Sequence, residues 1–166
     1  MGTMDKDVQK PGAGKGGGQF VQPGNAQENE GLIRKMINVL NEHNVGKVLP
    51  FLADDVVVMN VPVNKTHHGH AGFGEFLNNW KNAFPDYKIE LTNLICTADK
   101  CAVEFTARAT HTGALTGPMG TIPATNKRVE LKFAESYDMV NGKIAKNRSY
   151  WDSGSLMSQL GLLPKH

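Results

Sequence analysis

The sequence predicts an α+β protein in which helices come first and a curved, mixed or antiparallel sheet then wraps around them. Three observations carry that prediction. Ile33, Met36, Ile37 and Leu40, and later Phe73, Phe76, Leu77 and Trp80, recur at i, i+3, i+4 and i+7, the spacing that lines one face of a helix. From Tyr87 onward the period falls to two, in Tyr87-Ile89-Leu91, in Val103-Phe105-Ala107-Ala109-His111 and in Val129-Leu131-Phe133-Glu135-Tyr137. Asn141-Gly142 then marks a two-residue hairpin turn, whose positive φ angles Asn and Gly tolerate best.

Taken in order, residues 1–26 form a mobile arm, because Gly12-Ala-Gly-Lys-Gly-Gly-Gly-Gln19 and three breakers, Pro11, Pro23 and Gly24, leave little apolar surface to bury. Gly-Ala-Gly-Lys15 lacks the Ser or Thr and the preceding strand of a phosphate-binding loop. Residues 27–166 form one domain. Asn25-Ala-Gln-Glu28 has the pattern of a capping box and opens a helix over about 26–43. Val45 to Leu52 is a short helical piece kept irregular by Pro50, and Asp54 to Val63 is a β-branched strand whose Pro62 suggests that its far end lies at a sheet edge. A histidine-rich loop with His67, His68 and His70 follows, and the next helix stops near Phe84, before Pro85. A glycine- and proline-containing loop from Gly113 to Asn126 separates the long strands. After the hairpin turn, Ile144 to Trp151 alternates small or apolar residues with Lys146, Arg148 and Tyr150, and Asp152 or Ser153 caps a last helix carrying Leu156 and Leu160 and stopped by Gly161.

The chain has 166 residues, and 18 basic against 16 acidic side chains leave a net charge of +2 with no basic stripe. This gives no basis for nucleic-acid or membrane-surface binding. No apolar run reaches the roughly 20 residues that cross a bilayer, and the N-terminus lacks the apolar block of a signal peptide, so a cytoplasmic location is the default expectation. Cys96 and Cys101 flank a four-residue turn and could bridge across a hairpin, but in a cytoplasmic chain free thiols are the expectation. His67, His68 and His70 have no completing carboxylate and point in opposing directions in an extended segment, which argues for a solvated loop and against a metal site.

The element order, together with Gly69-His-Ala-Gly-Phe73, Trp80, Ala83-Phe84-Pro-Asp86, Thr110-His-Thr-Gly113, Ile122-Pro-Ala-Thr125, Asn141-Gly-Lys-Ile144, Tyr150-Trp-Asp152 and Gln159-Leu-Gly-Leu162, resembles the SnoaL-like polyketide cyclases, or ester cyclases, over about residues 28–164. The resemblance implies a nuclear transport factor 2-like half-open cone with a pocket inside. It also implies a homodimer, no metal or organic cofactor, and ring closure of a hydrophobic polyketide-like carbonyl compound by general acid/base catalysis. The family's acid/base aspartate, counted back from Gln159-Leu160-Gly161, falls on Ser149, and its pocket histidine falls on Glu135.

Glu135 shares one strand face with Leu131, Phe133 and Tyr137, so its carboxylate is either desolvated and poised as a general base or paired with Arg108 or Arg148. Asp152 is a polar group beside the pocket or a helix cap, His111 a proton shuttle or a structural histidine near a turn. Trp151, Phe105, Phe133, Tyr137, Trp80 and His70 are the candidate substrate-binding residues, as cavity wall or as core. Three functions fit: a cofactor-independent cyclase or isomerase, a non-catalytic carrier of a small hydrophobic molecule, and a dimerisation module.

Overall fold

The computed structural model describes residues 24–164, and the predicted arm lies almost wholly outside them. Helix α1 spans Ala26–Leu40. Asn25 caps it by accepting a hydrogen bond from the Gln27 N–H, and Ile33, Met36 and Ile37 are its buried face. It ends three residues before the expected boundary. The Asn41 side chain there bonds both the N–H and the C=O of Ile89, at 2.7 and 2.9 Å, and His43 turns left-handed at φ 58°. These two features tie the helix end to the sheet instead of prolonging the helix. A four-residue α2, Val45–Val48, passes into a 3-10 turn containing Pro50, as its ring requires.

The main sheet has six strands in the order β2-β1-β8-β7-β4-β3. Their ranges are β1 Leu52–Asn60, β2 Lys65–His68, β3 Lys88–Cys96, β4 Lys100–Thr110, β7 Arg128–Val140 and β8 Lys143–Trp151. β1 runs parallel to β8, and every other pairing is antiparallel. Register shifts in β1, in β3 and at the β7–β8 turn add local twist and let the sheet curl into a half-open cone. β1 is an interior strand, contrary to the expectation drawn from Pro62. That proline sits in a 3-10 turn, Val61–Val63, which leads through the left-handed Asn64 into β2, and β2 is the edge. The expected histidine loop is likewise ordered: His67 and His68 belong to β2, and His70 lies in the first turn of α3, Gly69–Ala83.

β7 alternates strictly, with Val129, Leu131, Phe133, Glu135, Tyr137 and Met139 all buried and facing α1 and α3. The turn to β8 uses Asn141 at φ 51° and Gly142 at φ 69°. The Asp152 side chain accepts from the Ser155 N–H and caps α4, Ser153–Gln159. Gln159 pins that helix to β7 through both the N–H and the C=O of Glu130. Within the long loop, β5, Leu115–Gly117, and β6, Gly120–Ile122, form a small hairpin of their own. No described helix is long and apolar enough to cross a membrane.

The expectation of free thiols is corrected: Cys96 and Cys101 form a disulfide. They are directly opposed in the β3–β4 ladder with Cα atoms 4.2 Å apart, so pairing needs no backbone movement, and geometry overrides the argument from compartment. The turn they close is held from α1, where the Asn29 amide donates to the carbonyls of Thr97 and Ala98. Reduction should lower the free energy of unfolding by about 2 kcal/mol, the loop-closure value for so short a ring. Denaturant titration with and without dithiothreitol measures it, and coincident curves would refute it.

Candidate functional site

The helices cover the concave face of the sheet without filling it. A cavity of about 110 Å³ remains between them, several times what one water needs. On the helix side its wall is Met36, Leu40, Phe73, Phe76, Leu77 and Trp80, which share the faces that the helical spacing marked. On the sheet side it is Phe105, Ala107 and Ala109 of β4 with Val129, Leu131 and Phe133 of β7. Phe105 and Phe133 are register partners and stack at 4.8 Å with 9° between their planes. Trp80 meets the edge of Phe133 at 5.9 Å.

Polar groups gather at one end of this wall. Glu135, Tyr137 and Asn147 line it together, because Glu135 and Tyr137 are two apart on β7 and Asn147 faces Tyr137 across the β7–β8 ladder. The Tyr137 hydroxyl donates to Glu135 Oε2 at 2.5 Å and the Asn147 amide donates to the same oxygen at 2.9 Å. Oε1 accepts no hydrogen bond and is not among the enclosed unpartnered atoms, so it opens to the cavity. Burial pushes the Glu135 pKa up and outweighs the hydrogen bonds from Tyr137 and Asn147 and the nearby Ser149 hydroxyl that pull it down. The Tyr137 phenol is itself raised well above its usual value by burial and by the carboxylate beside it, so it remains a donor. Ser149 is the register partner of Glu135 and is fully buried; its hydroxyl lies close enough to favour the carboxylate, but it makes no hydrogen bond of good geometry.

The ion-pair alternative for Glu135 does not occur. Arg108 bonds Glu90 and Glu130, each at 2.7 Å, on the outer face, and Arg148 bonds Asp138 at 3.2 Å.

The remaining candidates lie elsewhere. His111 is buried just past β4, where its Nδ1 accepts from the Thr125 N–H at 3.2 Å, its ring packs on Phe84 at 5.1 Å, and burial lowers its pKa. It does not line the cavity. Trp151 donates its indole N–H to Asn60 at 2.8 Å and supports Trp80 from behind at 5.1 Å. His70 lies 3.3 Å from the Leu52 carbonyl and 3.8 Å from Asp54, and Asp152 caps α4; neither reaches the cavity. His67 is buried against Phe76, its pKa lowered first by burial and then by Lys65. Among the described residues no group of three or more His, Cys, Asp or Glu could hold a metal ion.

Asn147 is the site residue that sequence reasoning missed. It sits with Ser149 and Trp151 on the small-residue side of the β8 alternation, but an asparagine in a strand carries no signal of what it faces. Phe84 and Tyr87 also line the cavity; Phe84 reads as a helix end before Pro85 and Tyr87 as the start of an alternating strand.

The SnoaL-like polyketide cyclase family matches residues 30–160 of the chain. No match was found among curated proteins. Among solved structures, AclR from Streptomyces galilaeus superposes with a TM-score of 0.73 at 23% identity, covering 85% of this chain and 89% of its own. A protein of Jannaschia sp. described as SnoaL-like gives 0.74 at 15% identity, covering 89% and 100%. TerC, co-crystallized with polyporic acid, gives 0.64 at 18% identity, covering 81% and 98%. At such identities these structures establish the likeness of fold. With its helices, curved mixed sheet and family match over most of its length, the chain belongs to the SnoaL-like polyketide cyclase family.

Proposed function

We propose that the protein binds a small hydrophobic carbonyl compound in this cavity and moves a proton on it, as a cofactor-independent cyclase or isomerase with Glu135 as general acid/base. One observation carries the reading: a carboxyl group set in an apolar wall, one oxygen held by two donors and the other left open to the cavity. Oε1 would take a proton from the carbon beside a carbonyl, and the C–H electron pair would move onto the carbonyl oxygen as an enolate. Returning the proton to another carbon completes an isomerisation; attack of the enolate carbon on a second carbonyl closes a ring, and Glu135 gives its proton to the alkoxide that forms. A carboxyl whose pKa is raised by burial is a stronger base than an exposed one. Asn147 commits one amide hydrogen to Glu135 and has a second with which to meet the developing oxyanion. The ladder also pairs Glu135 with Ser149, the position corresponding to the family's aspartate, so a carboxylate is kept at the same level of the sheet on the adjacent strand.

The other reading, a non-catalytic carrier, is favoured by the serine at that position and by the lack of a second carboxylate or histidine among the lining residues. The two are separated by deuterium uptake at the α-carbon of a hydrophobic ketone such as 2-tetralone. Acid/base catalysis requires uptake above the uncatalysed rate that climbs with pH as Glu135 ionises. Glu135→Gln should abolish it while binding stays within about tenfold, or about 1.4 kcal/mol. Wild-type uptake no faster than the uncatalysed rate would establish the carrier instead.

The same carboxyl makes stability depend on pH. Its folded pKa lies above its unfolded one, so the stability it contributes is full below the unfolded value, near 4.5, and is lost as pH rises through the folded value. Wild type should therefore weaken over that interval relative to Glu135→Gln, which has no such leg. Chemical denaturation from pH 4 to 9 shows it; parallel profiles would mean the carboxyl is not desolvated.

We also propose that the protein is a homodimer through the outer sheet face, where Thr106 and Arg108 lie opposite Phe105 and Ala107 and where Tyr150 stands half exposed beside Ala134. Light scattering at micromolar concentration should give twice the chain mass, and a monomer mass would exclude it.

A further inference from the structure

The polar groups of the cavity are unevenly placed, and their placement restricts what can enter. Along β7 the wall reads Val129, Leu131, Phe133, Glu135, Tyr137, so both polar side chains stand at one end and the other three positions are hydrocarbon. At the rise of a strand, Val129 to Phe133 is a stretch of roughly 13 Å. Ala109, Ala107 and Phe105 run beside it on β4 and add no polar atom. Two other lining residues carry polar groups. The Tyr87 hydroxyl has already given its hydrogen to the Leu40 carbonyl at 2.6 Å, and Trp80 can offer only an indole N–H. The strand backbones behind the wall are committed to the β4–β7 ladder.

We infer that the ligand is a compound with a single polar end, a carbonyl with an acidic hydrogen beside it, seated on Glu135 Oε1 and Asn147, and that it is hydrocarbon over the rest of its length. This rests on the proton-transfer reading and narrows it to isomerisation, because ring closure needs a second carbonyl that such a ligand lacks. A chain or ring system bearing oxygens on alternate carbons would strand several of them against Leu131, Phe133 and Ala107. Each buried oxygen that loses its water without gaining a partner weakens binding by about tenfold or more. The one carbonyl oxygen at the polar end can accept from the second amide hydrogen of Asn147 and, while the carboxyl is protonated, from Glu135 Oε1–H. The aromatic side chains suit a flat hydrocarbon body, with the Phe105–Phe133 stack as one wall and the Trp80 ring beside it.

The test is calorimetric titration of the full chain with three probes of one size: tetralin, 2-tetralone, and a 2-tetralone carrying two hydroxyls on its aromatic ring. The expected order has 2-tetralone tightest, with the dihydroxy ketone at least about tenfold weaker, and Glu135→Leu lowering 2-tetralone to the affinity of tetralin. The proposal is overturned if the dihydroxy ketone binds as tightly as 2-tetralone, if the preference over tetralin survives in Glu135→Leu, or if none of the three binds at millimolar concentration. Should Glu135→Leu not fold, the wild-type ratio of the two ketones decides alone. Because the readout is affinity, it separates from the isotope-exchange experiment. Exchange that Glu135→Gln abolishes, with no preference among ketones, keeps the base and discards the ligand class; the preference without exchange keeps the ligand class and discards the base.

Discussion

The constraint on which the structure depends is the period of two on β7. Thirteen residues of unbroken alternation give one buried face and one outer face, and the sheet on either side takes its register from them through eleven partners on β4 and eight on β8. A one-residue slip would expose Leu131 and Phe133 and bury Lys132 and Glu130. That penalty falls on every position at once, so the register is the most strongly specified feature of the chain. The hydrophobic faces of α1 and α3 dock onto the surface it creates, and Gln159 clips α4 to the same strand.

Against that background Glu135 is the one charged side chain on the buried face of β7. The alternation that buries Leu131 and Phe133 also buries a carboxyl, at a desolvation cost that its two donors offset only in part. Both donors come from the same ladder, Tyr137 by spacing on β7 and Asn147 by register on β8, so the geometry is set by the stiffest part of the sheet. A site built this way is held in place without a flexible loop. The neighbouring Ser149 hydroxyl favours the anion by its proximity without completing a hydrogen bond to it.

The cone owes its hollow to the sheet's curvature and to the size of what lies across it. Register shifts bend the strands, and α3 presents Phe73, Phe76 and Trp80, rings that span a gap without filling it. Trp151 and Asn60 brace Trp80 from behind the wall. Their contribution is to hold the wall in place behind the residues that line the cavity.

Much of this was determined by the sequence alone. Helix faces, strand periods, the Asn141-Gly142 turn and the Asp152 cap are local, each set within a few residues by backbone sterics, hydrogen bonding and amphipathic spacing. The short motifs were enough to mark the family. The isolation of a carboxyl among apolar neighbours at Glu135 was legible too, because a strand's period states which residues share a face. Only the tertiary structure decided what crosses from one strand to another. It placed Asn147 on the carboxyl and Arg108 and Arg148 away from it, put His111 behind Phe84, drew Trp151 out of the wall, made β1 an interior strand, and brought Cys96 and Cys101 into bonding distance. The physical reason is that each of these depends on register and curvature, which arise from packing distant segments together, whereas composition and spacing carry information only along the chain.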